Sequence, residues 1–194
     1  YLSSLDKVTV LAKEKDSFED HQEYCELVVS KKCDLLLDNG GSLIRQYYSK
    51  PRFYIPIGGN EETRSGRLLI EQDGIDIKFP VIVIDDSPLK RLLENAIGVG
   101  QSVVDGFMRA TSLLVGGKNV LVIGYGFCGY GVALKFKGLG ANTMVYDTDP
   151  LFLLKAKTEG HRVGKLNELL GVADVVITVT GSINVITKGQ LPFI

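Results

Sequence analysis

Short apolar runs alternate along this chain with longer segments whose apolar positions recur three or four residues apart, and each period predicts a different element. Residues 8–12 read as a strand and 18–31 as an amphipathic helix. Residues 33–37 read as a buried strand ending at Asp38-Asn39-Gly40-Gly41, and 42–48 as a short helix. Residues 53–57 look extended, broken by Gly58-Gly59-Asn60, and 61–70 look helical with Gly66 as a weak point. A strand over 80–84 runs into Asp85-Asp86-Ser87-Pro88, where Ser87 suits a helix cap and Pro88 a first helical position. That helix should cover 89–96 and a second 102–115, with Gly98-Val99-Gly100 as the hinge between them. Four further strands follow, at 120–123, 143–146, 162–163 and 174–178, separated by helical stretches. Such alternation predicts an α/β fold with parallel sheets, in two modules spanning 1–98 and 99–194. There is no repeat of solenoid period and no low-complexity tract.

Bulk properties narrow the choice of partner. Of 194 residues, 45% are hydrophobic, enough for one large or two small cores. The 22 Lys and Arg balance 23 Asp and Glu with no basic stripe, which argues against nucleic acid. No apolar run approaches the roughly 18 residues of a membrane span, and no signal peptide opens the chain. Cys25, Cys33 and Cys128 form no C-x-x-C pair, so buried thiols in a reducing, cytoplasmic setting are expected, and no metal site. The chain begins without methionine, and only four strands follow Lys118 where a complete dinucleotide sheet has about six. The expectation is a piece of a longer polypeptide.

The richest stretch is Val-Leu-Val-Ile-Gly124-Tyr-Gly126-Phe127-Cys128-Gly129-Tyr-Gly131, an apolar run ending in Gly-x-Gly-x-x-Gly before a helix-compatible segment. In that context the first glycine permits a tight turn, the second admits a pyrophosphate against the backbone, and the third lets helix and strand pack closely. The helix N-terminus then offers N–H groups and partial positive charge to the anion. Asp147 closes the next apolar run about twenty residues on, where a carboxylate can accept the ribose hydroxyls and repel a 2′-phosphate. NAD is therefore the expected cofactor. The alternative, a phosphate-free turn with a capping aspartate, has to explain three matching elements in the right order.

Beyond this fingerprint, an ordered set of motifs resembles the adenosylhomocysteinase (S-adenosylhomocysteine hydrolase) family. It comprises Gly98-x-x-Gln101-Ser102-x-x-Asp105-Gly106-x-x-Arg109-Ala110-Thr111, Gly117-Lys118, the glycine loop, Gly138-x-Gly140-Ala141, Asp149-Pro150 and Thr178-x-Thr180-Gly181. Upstream, Asp38-Asn39-Gly40-Gly41, Glu61-Glu62-Thr63 and Asp86-Ser87-x-x-Lys90 fall where that family carries its substrate-side motifs. The resemblance covers residues from about 8 to 188. It implies a Rossmann-type doubly wound parallel sheet that binds NAD, preceded by part of an α/β substrate domain. It also implies a cytoplasmic homotetramer that cleaves S-adenosylhomocysteine to adenosine and homocysteine. In the family's chemistry NAD oxidises the nucleoside 3′-hydroxyl, a base removes the acidified C4′ proton, homocysteine leaves, water adds, and the ketone is reduced again.

Carried over by position, the resemblance makes Lys90 the lysine at the 3′-hydroxyl, Glu62 the acid that orients the ribose, and Thr63 and Asn95 neighbours of the nicotinamide. Gly124, Gly126, Phe127, Cys128, Gly129 and Asp147 match the phosphate and adenosine-ribose contacts, and Thr178, Thr180 and Gly181 end a strand beside the cofactor. Several positions depart from the pattern. Asn39 replaces the aspartate assigned to C4′ proton transfer, and Glu94 replaces an aspartate four residues after the lysine. Arg64-Ser65 follows Thr63 where threonines are usual, and Phe152 replaces an asparagine. Neither His21 nor His161 aligns with the family's catalytic histidines. Three readings remain open: an enzyme of this type or a nucleoside 3′-oxidoreductase lacking the C4′ base; a non-catalytic NAD-binding regulator; and a conventional NAD-dependent dehydrogenase, which leaves the upstream motifs unexplained.

Overall fold

The computed structural model describes residues 4–193. Two compact units divide between Asp86 and Ser87. The division expected at 98–99 instead falls inside one continuous helix.

In the first unit, helix α1 (Phe18–Ser30) opens with a capping box: Ser17 Oγ accepts the Asp20 N–H and Asp20 Oδ2 accepts the Ser17 N–H, each at 3.0 Å. Strand β1 (Leu35–Asp38), helix α2 (Ser42–Tyr48), strand β2 (Gly58–Glu61), helix α3 (Arg64–Gln72) and strand β3 (Val81–Val83) follow. The strands form a parallel sheet in the order β1-β2-β3, with Asp38 opposite Glu61 and Glu61 opposite Val83. Val29, Leu36, Tyr47 and Phe79 make the core, where the Tyr47 ring meets Tyr54 and Phe79 edge-on at 5.4 and 5.5 Å. Glu26 receives both Arg52 Nη groups at 3.0 and 2.6 Å, and these bonds with that of Gln46 hold its carboxyl down at about 2.

Three sequence expectations are corrected here. Residues 8–12 form no strand, because apolar alternation needs a partner ladder and none of the described strands pairs with them. The glycines taken as breakers are themselves the central strand. A Cβ on Gly59 would lie 2.7 Å from the Leu36 carbonyl oxygen, so this register tolerates only a residue without a side chain. Strand β1 is buried on one face only: Leu36 and Asp38 point inward while Leu35 and Leu37 are 59% and 71% exposed.

In the second unit, the helix starting at Pro88 passes without interruption through a π-helical stretch (Lys90–Gly98) into α4 (Val99–Thr111). The Val99 N–H donates to the Glu94 carbonyl, the i→i−5 bond of the wider turn. The predicted hinge at Gly98-Val99-Gly100 is absent. Gly100 instead lets helix α5 (Phe127–Gly138) approach: a Cβ on Gly100 would stand 2.5 Å from the Gly131 carbonyl oxygen, and one on Gly131 would overlap the Ala96 carbonyl.

Strands β4 (Asn119–Ile123), β5 (Asn142–Tyr146), β6 (Arg162–Val163) and β7 (Val175–Thr178) lie where the pattern predicted them, joined by α5, α6 (Pro150–Thr158) and the short α7 (Leu166–Leu170). All pair parallel in the order β6-β5-β4-β7. Val120 and Val122 face a core with Val132, Phe136 and Val145; Leu121 and Ile123 face another with Met144, Leu169 and Leu170. Helices therefore cover both faces, as a parallel sheet requires, and the chain reverses its winding direction at β4. Gly131→Ala should lower stability by about 1–3 kcal/mol through overpacking against the 90–98 helix, read as a lower urea midpoint at unchanged slope.

Candidate functional site

The turn after β4 lies at the carboxyl end of the sheet, between β5 and β7, where open α/β sheets bind ligands. Gly124 has φ +97°, a left-handed conformation that disfavours any side chain. A Cβ there would also press on Thr180 Cγ2 at 3.0 Å, so the segment after β7 closes over the turn. On Gly129 a Cβ would collide with the Gly124 carbonyl, which lets α5 start directly under the turn. Around Gly126 there is open space, and no side chain caps the N-terminus of α5. The Gly126 position and the first N–H groups of α5 thus form a cradle of the kind that admits a pyrophosphate.

Asp147, just past β5, donates nothing and accepts twice: Oδ2 takes the Tyr125 N–H at 2.6 Å and Oδ1 the Asp149 N–H at 2.9 Å. The carboxylate thus braces the glycine turn, and each oxygen keeps lone-pair capacity for a ribose hydroxyl. The residues present fit a dinucleotide. Phe127 occupies the first turn of α5, half exposed, with the Arg91 guanidinium 5.9 Å from its ring centre, and Cys128 beside it is partly buried. Thr178 pairs with Ile123 at the end of β7; Thr180 Oγ1 accepts the Ser182 N–H at 3.0 Å across Gly181.

Beneath the turn, the Tyr125 ring is fully buried and its hydroxyl donates to Glu159 Oε2 at 2.6 Å. Burial, then this bond, pushes the phenol far above its usual range. The buried His161 ring lies edge-on to Tyr125 at 5.6 Å, with Nδ1 2.6 Å from Thr143 Oγ1. Burial, helped by the nearby Lys137 cation, lowers its basicity against the pull of Glu159.

A second cluster comes from the π-helical stretch. Lys90 Nζ donates to Asn95 Oδ1 at 2.9 Å and lies 3.3 Å from Glu94 Oε1, its side chain only 11% exposed. An α-helix would bring only residue 94 over residue 90; the extra residue per turn centres the lysine between 94 and 95. Three sequence-predicted residues are thereby gathered on one face.

In the first unit, Asn39 Nδ2 donates to Glu62 Oε2 at 2.9 Å, uniting two more predicted residues. Thr63 caps α3, its Oγ1 accepting the Gly66 N–H at 3.0 Å, and the departing Arg64 is exposed in the first turn. Sequence reasoning missed the supports. Asp38 accepts the Asn39 and Ile44 N–H groups, and burial pushes the pKa of its carboxyl above the usual carboxylate value. Glu61 is wholly buried. Asp38 carried a signal, an acidic residue at the end of a predicted strand; Glu61 carried none, because the pattern there reads as the start of a helix.

Two cavities lie away from the glycine turn, the Lys90 cluster and the Asn39–Glu62 pair. One of about 430 Å³ is bordered by His21, Cys25, Arg45 and Tyr48. The other, about 470 Å³, is bordered by Asn119, Lys137, Asn142 and Arg162 at the opposite strand ends from the glycine turn.

Fold and turn together define an α/β dinucleotide-binding unit of Rossmann type. Residues 95–193 match the family model described as S-adenosyl-L-homocysteine hydrolase, NAD binding domain, and the chain belongs to that family; its cofactor is NAD. It is 39% identical over 186 residues to an adenosylhomocysteinase of Thermococcus kodakarensis, covering 93% of this chain and 44% of that relative. It is equally 39% identical over 187 residues to an S-inosyl-L-homocysteine hydrolase of Methanocaldococcus jannaschii, covering 94% and 45%. The chain thus spans less than half the length of these curated relatives. Among solved structures, dipicolinate synthase A chain from Bacillus subtilis superposes with TM-score 0.56 at 19% identity over 70% of this chain and 45% of that one, a likeness of fold.

Asp147→Ala should weaken NAD binding about 10- to 100-fold, the worth of a charge-assisted hydrogen bond, and narrow the preference for NAD over NADP. Calorimetric titration with both cofactors checks this, and unchanged NAD affinity would refute the ribose role. Because the folded state depresses His161 below its unfolded value near 6.5, its contribution to stability is complete above that pH and is lost as pH falls below it. The urea midpoint of the protein should drop between about pH 7 and 5, and His161→Gln should remove that part of the slope.

Proposed function

We propose that the protein carrying this chain is an NAD-dependent hydrolase that converts S-adenosylhomocysteine reversibly into adenosine and homocysteine by transient oxidation of the nucleoside 3′-position. The observation that carries this reading is Lys90, a nearly enclosed amine held between Asn95 and Glu94 in a unit of the family's NAD-binding type. NAD, when bound, supplies the acceptor for the 3′-hydrogen and later returns it. Gly126 and the α5 N-terminus would hold its pyrophosphate and Asp147 its adenosine ribose; Thr63, Asn95, Thr180 and Gly181 are assigned to its nicotinamide side. Lys90 exchanges a proton with the 3′-oxygen at Nζ, with Asn95 and Glu94 keeping the amine in place. Glu62 accepts the ribose hydroxyls, oriented by the Asn39 amide. Relatives named for adenosyl and for inosyl thioethers match this chain equally well, which supports ribose and cofactor handling as the part of the task encoded here. The reading carries with it a cytoplasmic homo-oligomer acting on a small nucleoside.

One observation favours a second reading. Asn39 uses its amide to donate to Glu62 and offers no group that can take the C4′ proton. A protein limited to 3′-oxidation, or a regulator that binds NAD without completing hydrolysis, accounts for that residue directly.

Adenosine added to the purified protein should raise the reduced-nicotinamide absorbance, and Lys90→Ala should abolish that rise while leaving bound NAD unchanged. Exchange of the C4′ hydrogen in heavy water then separates the two readings: hydrolysis requires it, whereas oxidation alone proceeds without it. If NAD is present and no nucleoside reduces it, the enzyme reading is wrong.

A further inference from the structure

Two segments of the first unit carry the Asn39–Glu62 pair, and a single buried side chain ties them together. Glu61 ends β2 directly opposite Asp38 at the end of β1 and is 0% exposed. Its Oε1 accepts the Gly40 N–H at 3.0 Å, the Thr63 N–H at 2.7 Å and the Thr63 hydroxyl at 2.6 Å; its Oε2 accepts the Gly41 N–H at 2.8 Å. Four donors therefore converge on one carboxylate, the complement of an acceptor-only group. A Cβ on Gly66 would overlap this carboxyl, so the site is filled and no ligand reaches Glu61 itself.

The sequence positions of these contacts matter. Asn39 immediately precedes the two glycines that Glu61 holds, and Glu62 lies between Glu61 and Thr63, both ends of which are fixed. The Glu62 N–H is bound in turn by the Asp38 carbonyl at 3.0 Å. With Gly40 and Gly41 both at positive φ, the loop is intrinsically free to take other conformations, and the carboxylate is what selects this one. Asn39 and Glu62 meet at 2.9 Å near the surface because the buried residue beneath them fixes both backbones.

We propose that Glu61 is a positioning residue: it touches no substrate and sets the Asn39–Glu62 pair for recognition of a ribose diol. This rests on the reading of Glu62 as the acceptor of the ribose hydroxyls. Glu61→Gln keeps the size but turns one oxygen into a donor facing N–H groups that already donate, so the two segments lose their common anchor.

The test uses the full NAD-loaded protein and two probes, adenosine and 2′,3′-dideoxyadenosine, titrated calorimetrically at a temperature where circular dichroism shows the fold intact. Natural protein that fails to prefer adenosine refutes the ribose reading of Glu62 before any variant is made, and the proposal falls with it. Given that preference, Glu61→Gln should weaken adenosine binding about tenfold or more and leave dideoxyadenosine binding unchanged. Equal losses for both probes, or no loss for either, overturn the positioning role. Should Glu61→Gln not fold, Glu61→Asp, which keeps the charge but withdraws it by one methylene, is titrated in the same way and should show the same selective loss. If neither variant folds, Glu61 is a requirement of the fold alone and the proposal is refuted.

Discussion

A tight glycine turn at the end of a parallel strand removes backbone N–H groups from the ladder, and a buried N–H without an acceptor is too costly to leave. Both units meet this constraint in the same way. In the first, Glu61 at the end of β2 takes the N–H groups of Gly40 and Gly41 beyond β1. In the second, Asp147 beyond β5 takes the N–H of Tyr125 within the turn after β4. Parallel in-register pairing makes this possible, because it sets neighbouring strand ends side by side: Asp38 faces Glu61 and Ile123 faces Tyr146. The carboxylate of one strand end then braces the loop beside it, and the candidate residues lie on or next to the segments so held.

The helix that carries Lys90 is shaped by a different close approach. Its 90–98 stretch lies against α5 where Ala96 and Gly131 leave no space for a side chain, and α5 starts at the glycine turn. A π-helical register costs hydrogen-bond quality, and such stretches persist where the surroundings require them. Here it brings the amine of residue 90 onto the side chains of residues 94 and 95 together. The packing that supports the dinucleotide turn and the geometry that restrains the lysine therefore belong to one pair of helices.

The departures from the family pattern acquire physical meaning in this setting. Two carboxylates at positions 39 and 62 would repel unless one retained a proton; an amide at 39 converts that contact into a hydrogen bond. Glu94, one methylene longer than the aspartate of the family pattern, still reaches Lys90. Phe152 lies on α6 and Arg64 at the start of α3, both on surfaces where a larger side chain is accommodated without displacing the core.

By itself the sequence determined the α/β class, the four strands of the second unit, and the glycine turn with Asp147. Those features rest on local information: apolar period, turn chemistry and cap residues act within a few positions of one another. The tertiary structure alone decided the rest. Residues 8–12 have a strand's pattern but no partner among the described strands, whereas Gly58 and Gly59 lack that pattern and open the central strand, where the Leu36 carbonyl lies too close to Gly59 for a side chain. The hinge read at 98–100 became a continuous helix for the same reason, its glycines serving contact with α5. The supporting roles of Glu61 and Asp38 likewise depend on which strand end lies beside which. Strand pairing and backbone approach join residues far apart in the chain, and no local period records that distance.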